Sequence, residues 1–159
     1  MIIIITALLV SGSGIVTQDL FAKTIFSKSL DVSSNIAVPE GLTFSPDGTK
    51  MYISDNTGDL IEEYTLSHVN DIASASHAGS NLAIADAQTD VPEDMAFNAD
   101  GTKMYLSDGL DITQVNLSNP FVPSSGTVAH NLVISSIIAR NAKDLAFDDD
   151  GSRLYLSET

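Results

Sequence analysis

The twelve residues "FSPDGTKMYISD" at 44–55 return as "FNADGTKMYLSD" at 97–108 and as "FDDDGSRLYLSE" at 147–158. Gly48 to Gly101 is 53 residues, and Gly101 to Gly151 is 50. A chain that repeats itself at such a period folds as copies of one supersecondary unit, each covering the apolar face of the next.

Each copy reads as strand, turn, strand. Leu42 and Phe44, Met95 and Phe97, and Leu145 and Phe147 lie two residues apart, the period of a strand. Then come "SPDGT", "NADGT" and "DDDGS". Asp47, Asp100 and Asp150 are turn formers, and the Gly that follows each supplies positive φ. The spacing predicts a hairpin with a type I turn closed by a Gly bulge. In the second strand Met51 and Ile53 face one way and Tyr52 the other, so both faces are expected to be covered. A further turn leads to a third strand, "LIEEYTLS" or "DITQVNLS", and a longer connection to a fourth, "SHAGSNLAIA" or "GTVAHNLVIS". The repeat also runs upstream. "DLFAKTIFSKSLDVSSNIAVPEG" from Asp19 lines up with "DIASASHAGSNLAIADAQTDVPED" from Asp71.

The predicted fold class is therefore all-β: four-stranded antiparallel units on a repeat of about 50 residues, set radially as β-propeller blades. The chain makes a partial propeller, with a fourth strand at 19–38, full blades at 39–91 and 92–141, and a partial blade at 142–159. Residues 1–18 stand apart. The run "MIIIITALLV" is too short to span a bilayer, which takes about 20 residues. It reads either as the apolar region of a signal peptide, lacking the basic residues that normally precede one, or as a buried strand. The first alternative places the protein outside the cytosol: secreted, periplasmic or on the cell surface.

Charge excludes one class of partner. Seven Lys and Arg stand against 21 Asp and Glu, a formal charge of −14. Such a surface repels phosphate backbones, so no nucleic acid is expected. The chain has no Cys, which removes disulfides, thiol nucleophiles and Cys-type zinc sites.

The Ser-Pro-Asp-Gly hairpin in "FSPDGTKMYISD" resembles that of YVTN-type and TolB-type propeller repeats. The segments "MYISDNTGD" and "MYLSDGLD" resemble the tyrosine-bearing second strand of lactonase-like propellers, and "PEGLTFSPDG" is similar to NHL and gluconolactonase-like ones. The resemblance implies a propeller fold. It leaves activity open, because such scaffolds carry enzymes, binding platforms and structural modules alike.

The candidate site residues lie on the rim opposite the Asp-Gly hairpins. Glu40 and Glu93 fall at one repeat position, with Lys143 in the third copy; Asp94 and Asp144 follow directly; Asp55 and Asp108 end the second strands, with Glu158 in the third. The gluconolactonase-like resemblance implies Glu40 and Glu93 as ligands of a calcium or other divalent cation, since hard cations take oxygen donors. Asp55, Asp94, Asp108, Lys143 and Asp144 complete the set of rim candidates. The bland alternative is a solvated acidic rim with no cofactor. His68, His77 and His130 share no repeat position and are expected on surface or loops.

Three functional readings follow. The first is a non-catalytic propeller segment, a binding or scaffold module for a protein or carbohydrate. The second is a lactonase-like hydrolase using a divalent cation at the channel mouth. The third is a structural repeat of a large surface or viral adhesion protein. Unpaired blade edges further predict self-association, or that the chain is a fragment of a longer one.

Overall fold

The computed structural model describes residues 2–4, 28–83, 92–136, 141–148 and 151–158. Twelve strands account for its regular structure: β1 (Ile2–Ile4), β2 (Ser29–Asp31), β3 (Pro39–Phe44), β4 (Lys50–Asp55), β5 (Leu60–Leu66), β6 (Ala75–Ala83), β7 (Asp94–Phe97), β8 (Lys103–Ser107), β9 (Asp111–Leu117), β10 (Gly126–Val133), β11 (Ala142–Phe147) and β12 (Leu154–Glu158). Single 3-10 turns at Ile72–Ser74 and Pro123–Ser125 precede β6 and β10. The chain is all-β, and its strands pair antiparallel.

Two four-stranded sheets run in simple sequence order, β3-β4-β5-β6 and β7-β8-β9-β10; β11-β12 and β1-β2 form two-stranded sheets. All four are open, and among the described residues no strand closes them into a ring. The four-stranded antiparallel units are present as expected, but their radial setting as propeller blades is not shown. Of residues 1–18, read as a leader or an apolar strand, only Ile2–Ile4 are described, and they form β1. The rest of that segment lies outside the described residues, as do residues 19–27 of the expected fourth strand and the turn former Asp150.

The hairpins follow from their sequence. Gly48, Gly101 and Gly151 have φ of 66°, 69° and 69°, the left-handed region open to Gly. Asp47 Oδ1 accepts from the Thr49 amide at 3.0 Å and from the Ser45 hydroxyl at 2.6 Å. Asp100 accepts likewise from the Thr102 amide at 2.9 Å. With the Thr49 hydroxyl at 2.8 Å, three hydrogen bonds reach the Asp47 carboxylate; they favour its charged form and hold it down at about 2.

The core lies between sheets. Tyr52, Ile61 and Leu82 of the first sheet pack on Met95, Met104, Leu106, Val115 and Leu117 of the second. Tyr105 and Ile112 of the second pack on Leu145, Phe147 and Leu156 of the third. One contact recurs at both joints. The second-strand Tyr of each sheet meets the first-strand Phe of the next: Tyr52 on Phe97 with ring centroids 4.7 Å apart, Tyr105 on Phe147 at 5.0 Å. Tyr52 is fully buried, and its hydroxyl donates to the Phe121 carbonyl at 2.7 Å. Lys50 Nζ donates to the same carbonyl at 3.0 Å, so one backbone oxygen of the second sheet anchors two side chains of the first.

Candidate functional site at the first strands

The first strands of the three sheets, β3, β7 and β11, border one cavity of about 470 Å³. Thr43, Asp94, Phe97, Asp144 and Phe147 are among the residues that line it. Asp94 Oδ2 accepts from the Leu145 amide at 2.6 Å, a hydrogen bond from β11 to β7 that ties two sheets together. Asp144 Oδ2 accepts from the Ser157 hydroxyl at 2.8 Å.

Gly41 permits this approach. A methyl group there would sit 2.8 Å from Asp94 Cα and 3.0 Å from the Glu93 carbonyl oxygen, closer than a real Cβ comes. Gly41 also lies in a β-bulge of the β3–β4 ladder, between Pro39 and Leu42, and its amide donates to the Ser54 hydroxyl at 2.7 Å. Burial raises the Asp94 carboxyl above its ordinary value, partly offset by the Leu145 and Met95 amides, and the Asp144 charge pushes the same way as burial. A carboxyl so placed holds its proton closer to neutral pH than a solvated one.

Beside this pair, Glu93 Oε1 forms an ion pair with Lys143 Nζ at 2.6 Å. The other carboxylate oxygen, Oε2, is buried and has no hydrogen-bond partner. It lies near Gly109 and Asn141, since a methyl at Gly109 would come within 3.3 Å of it and 3.2 Å of Asn141 Cβ. The spare oxygen is a place for a donor or a cation, but the donor set around it does not fit a resident divalent ion. Such ions take six to eight oxygens. Among the described residues no three His, Asp or Glu side chains converge, and Lys143 already supplies the compensating charge. Glu40 is exposed on β3.

The remaining rim candidates serve the backbone. Asp55 is 4% exposed; its carboxylate accepts from the amides of Ala37, Val38 and Thr57 at 3.0–3.2 Å. Asp108 accepts from Leu110 and Asp111 at 2.9 and 2.7 Å. Asp108 fixes the turn after β8, and Asp55 ties the turn after β4 to the segment that enters β3. Thus the structure joins Glu93 to Lys143 in an ion pair and sets Asp94 and Asp144 along one cavity.

Two polar clusters escape a reading of the sequence. His77 Nε2 meets Glu62 Oε2 at 2.6 Å, with the Asn35 amide nitrogen 3.3 Å from Nδ1. Tyr64 lies edge-on to that imidazole at 5.3 Å; burial, with the Glu62 charge, pushes its hydroxyl up to about 12. Lys50 meets Glu63 Oε1 at 2.9 Å. The one available signal is the doublet Glu62-Glu63 in a strand, since alternation sends the two to opposite faces, and where both faces are covered both are buried.

No family model matches the chain, and no curated protein does. Among solved structures it is similar to a protein assigned as a 6-phosphogluconolactonase from Bacteroides uniformis, with 21% identity and a TM-score of 0.56, over 76% of this chain and 33% of that one. It is also similar to a luciferin-regenerating enzyme, with 20% identity and a TM-score of 0.53, over 78% of this chain and 38% of that one. The chain thus spans about a third of the one structure and 38% of the other. At such identity the likeness is one of fold.

Two expectations are corrected here. The YVTN-type and TolB-type assignment gives way, because the folds matched are those of the 6-phosphogluconolactonase-like structure and the luciferin-regenerating enzyme and the described sheets are open. The non-catalytic scaffold, expected first, is corrected as well, because both neighbours are named as enzymes.

Proposed function

We propose that this chain forms part of a lactone hydrolase whose substrate lies at the charged end of the cavity between β3, β7 and β11. In this reading the three successive sheets are blades of a propeller around that cavity. The observation that carries the proposal is the grouping of Asp94, Asp144 and the Glu93–Lys143 pair on β7 and β11 and the residues just before them, in a fold shared with lactonase-type structures.

Lactone hydrolysis needs a group to take a proton from water, a positive partner for the carbonyl oxygen as it gains charge, and a proton for the leaving alkoxide. Water attacks the carbonyl carbon, the ring C–O bond breaks, and a hydroxy acid results. Asp94 is the proposed proton carrier, since burial brings its carboxyl nearer to neutral pH. Lys143 is the proposed partner of the developing oxyanion, held in place by Glu93. No step is routed through a metal ion, because the donor set does not fit one.

The test is acid release from five- and six-membered sugar lactones in a pH-stat, using the full chain. The expected result is turnover above the buffer rate, insensitive to chelator. Asp94→Asn and Lys143→Met should each lower it at least tenfold, the low end of what one proton-transfer or oxyanion group supplies, while Asp47→Asn on the far hairpin leaves it unchanged. Buffer-level rates across the panel, in a chain that melts cooperatively, would refute the proposal.

A further inference from the structure

The repeat supplies its own comparison at the cavity wall. Thr43, Ala96 and Ala146 occupy one repeat position, each across its hairpin from the second-strand Tyr: Thr43 from Tyr52, Ala96 from Tyr105 and Ala146 from Tyr155. All three line the cavity. Two copies form the same hairpin with a bare methyl group at this position, so the unit does not need a hydroxyl there. Of the three, Thr43 alone carries one.

Strand alternation sets the face on which it stands. Leu42 and Phe44 pack against the core on one side of β3. Thr43 lies on the other side with Tyr52, which packs towards the second sheet. Thr43 is half-buried, and among the described residues its hydroxyl has no hydrogen-bond partner. The hydroxyls of Thr49, Thr65 and Thr102, by contrast, meet Asp47, Ser76 and Asp100. A hydroxyl partly withdrawn from water is costly to leave unpaired. The other polar residues of the lining are Asp94 and Asp144, each two residues before the Ala of its own copy. Two residues advance about 7 Å along a strand. By repeat position, then, polar groups stand at two levels of an otherwise apolar wall: the two Asp at one, Thr43 at the other.

We propose that Thr43 sets substrate specificity: its hydroxyl hydrogen-bonds a hydroxyl substituent of the lactone, so that the cavity takes hydroxylated lactones in preference to unsubstituted ones. This rests on the hydrolase reading given above. A lactone whose carbonyl lies at the level of the Asp pair extends its ring towards Thr43. A ring hydroxyl there pairs with Thr43; a ring without one leaves Thr43 unpaired, and a site built to hold a hydroxyl discriminates against the analogue that lacks it.

The test uses the full chain. It measures kcat/KM for glucono-δ-lactone and for the unsubstituted δ-valerolactone, and the binding of gluconolactam, a non-hydrolysable analogue, by calorimetry. Thr43→Val keeps the shape and β-branching of the side chain and removes the hydroxyl; Thr43→Ser keeps the hydroxyl. Thr43→Val should weaken lactam binding and lower kcat/KM for glucono-δ-lactone about five- to tenfold, the worth of one hydrogen bond, and should leave the δ-valerolactone rate as it is. Thr43→Ser should behave as the native chain does. Lactam binding that Thr43→Val weakens, in a chain that hydrolyses neither lactone, would refute the hydrolase reading and leave the role of Thr43 standing. Unchanged binding and rates in Thr43→Val, an equal loss for both lactones, or a native chain that does not bind the lactam would each overturn the proposal.

Discussion

Gly101 and Gly79 have almost the same backbone, φ 69° and 68°, but opposite surroundings. A methyl group at Gly79 meets nothing within 4 Å. At Gly101 it would overlap the Phe121 ring, with Cζ at 2.5 Å and Cδ2 and Cε2 closer still. The ring would have to withdraw by more than about 1 Å to restore ordinary contact. Phe121 has little freedom to do so. Its carbonyl anchors Lys50 and Tyr52, its amide donates to the Gly101 carbonyl at 3.0 Å, and its ring stacks on Phe97 at 5.4 Å. Ala at either site costs about 1–2 kcal/mol for a left-handed residue, less about 0.4–1 kcal/mol gained by restricting the unfolded chain. Gly79→Ala should therefore lose about 1 kcal/mol. Gly101→Ala adds about 1–3 kcal/mol of overpacking and about 1 kcal/mol for a weakened hydrogen bond, for a total of about 3–5 kcal/mol. Urea unfolding of both variants at one protein concentration measures the difference. Equal midpoints would show that Phe121 yields freely and that the joint between the first two sheets is not rigid.

Tyr52→Phe removes one of the two donors to the Phe121 carbonyl and leaves Lys50 in place, so it should cost about 1 kcal/mol by urea unfolding. Asp47 titrates at about 2 in the folded chain against an ordinary 3.8. Its contribution is therefore complete above pH 4 and is lost as pH falls towards 2, and Asp47→Asn should flatten the acid limb of the melting-temperature profile in that window. Asp94 is shifted the opposite way, so its folded state is penalised as pH rises above the ordinary carboxyl value. Asp94→Asn keeps an acceptor for the Leu145 amide and should raise the melting temperature at pH 7 but not at pH 3. Calcium should shift the melting temperature no more than magnesium does, and Glu40→Gln with Glu93→Gln should not alter that equality; a calcium-specific rise lost in the double variant would restore the cation site.

The hairpins were legible because their chemistry is local. Asp47, Gly48 and Thr49 fix a turn whatever packs around it. The second-strand Tyr was legible as covered on both faces, because strand alternation assigns faces without knowledge of the partner. Site residues were less so. Asp55 and Asp108 sit where a rim ligand would, but a carboxylate at a strand end equally well binds the next amides, and sequence position does not separate the two. The Glu93–Lys143 pair spans 50 residues and exists only because one sheet lies beside the next. The Glu62–His77 pair depends on the β-bulge between Glu62 and Tyr64, which sets the two side chains on a common face.

The approach of β3 to β7 at Gly41 has a consequence for the cavity. Gly41, Asp94 and Asp144 occupy the same repeat position, so identical copies would bring equivalent groups to it. The chain departs from its own repeat here. One copy has bare backbone, and the next two have carboxylates in unequal environments, one tied to an amide and one to a hydroxyl. The repeat is kept at the joints, where Tyr meets Phe each time, and broken at this position. The two carboxylates beside the cavity are thereby made chemically distinct without any change in the geometry of the sheets.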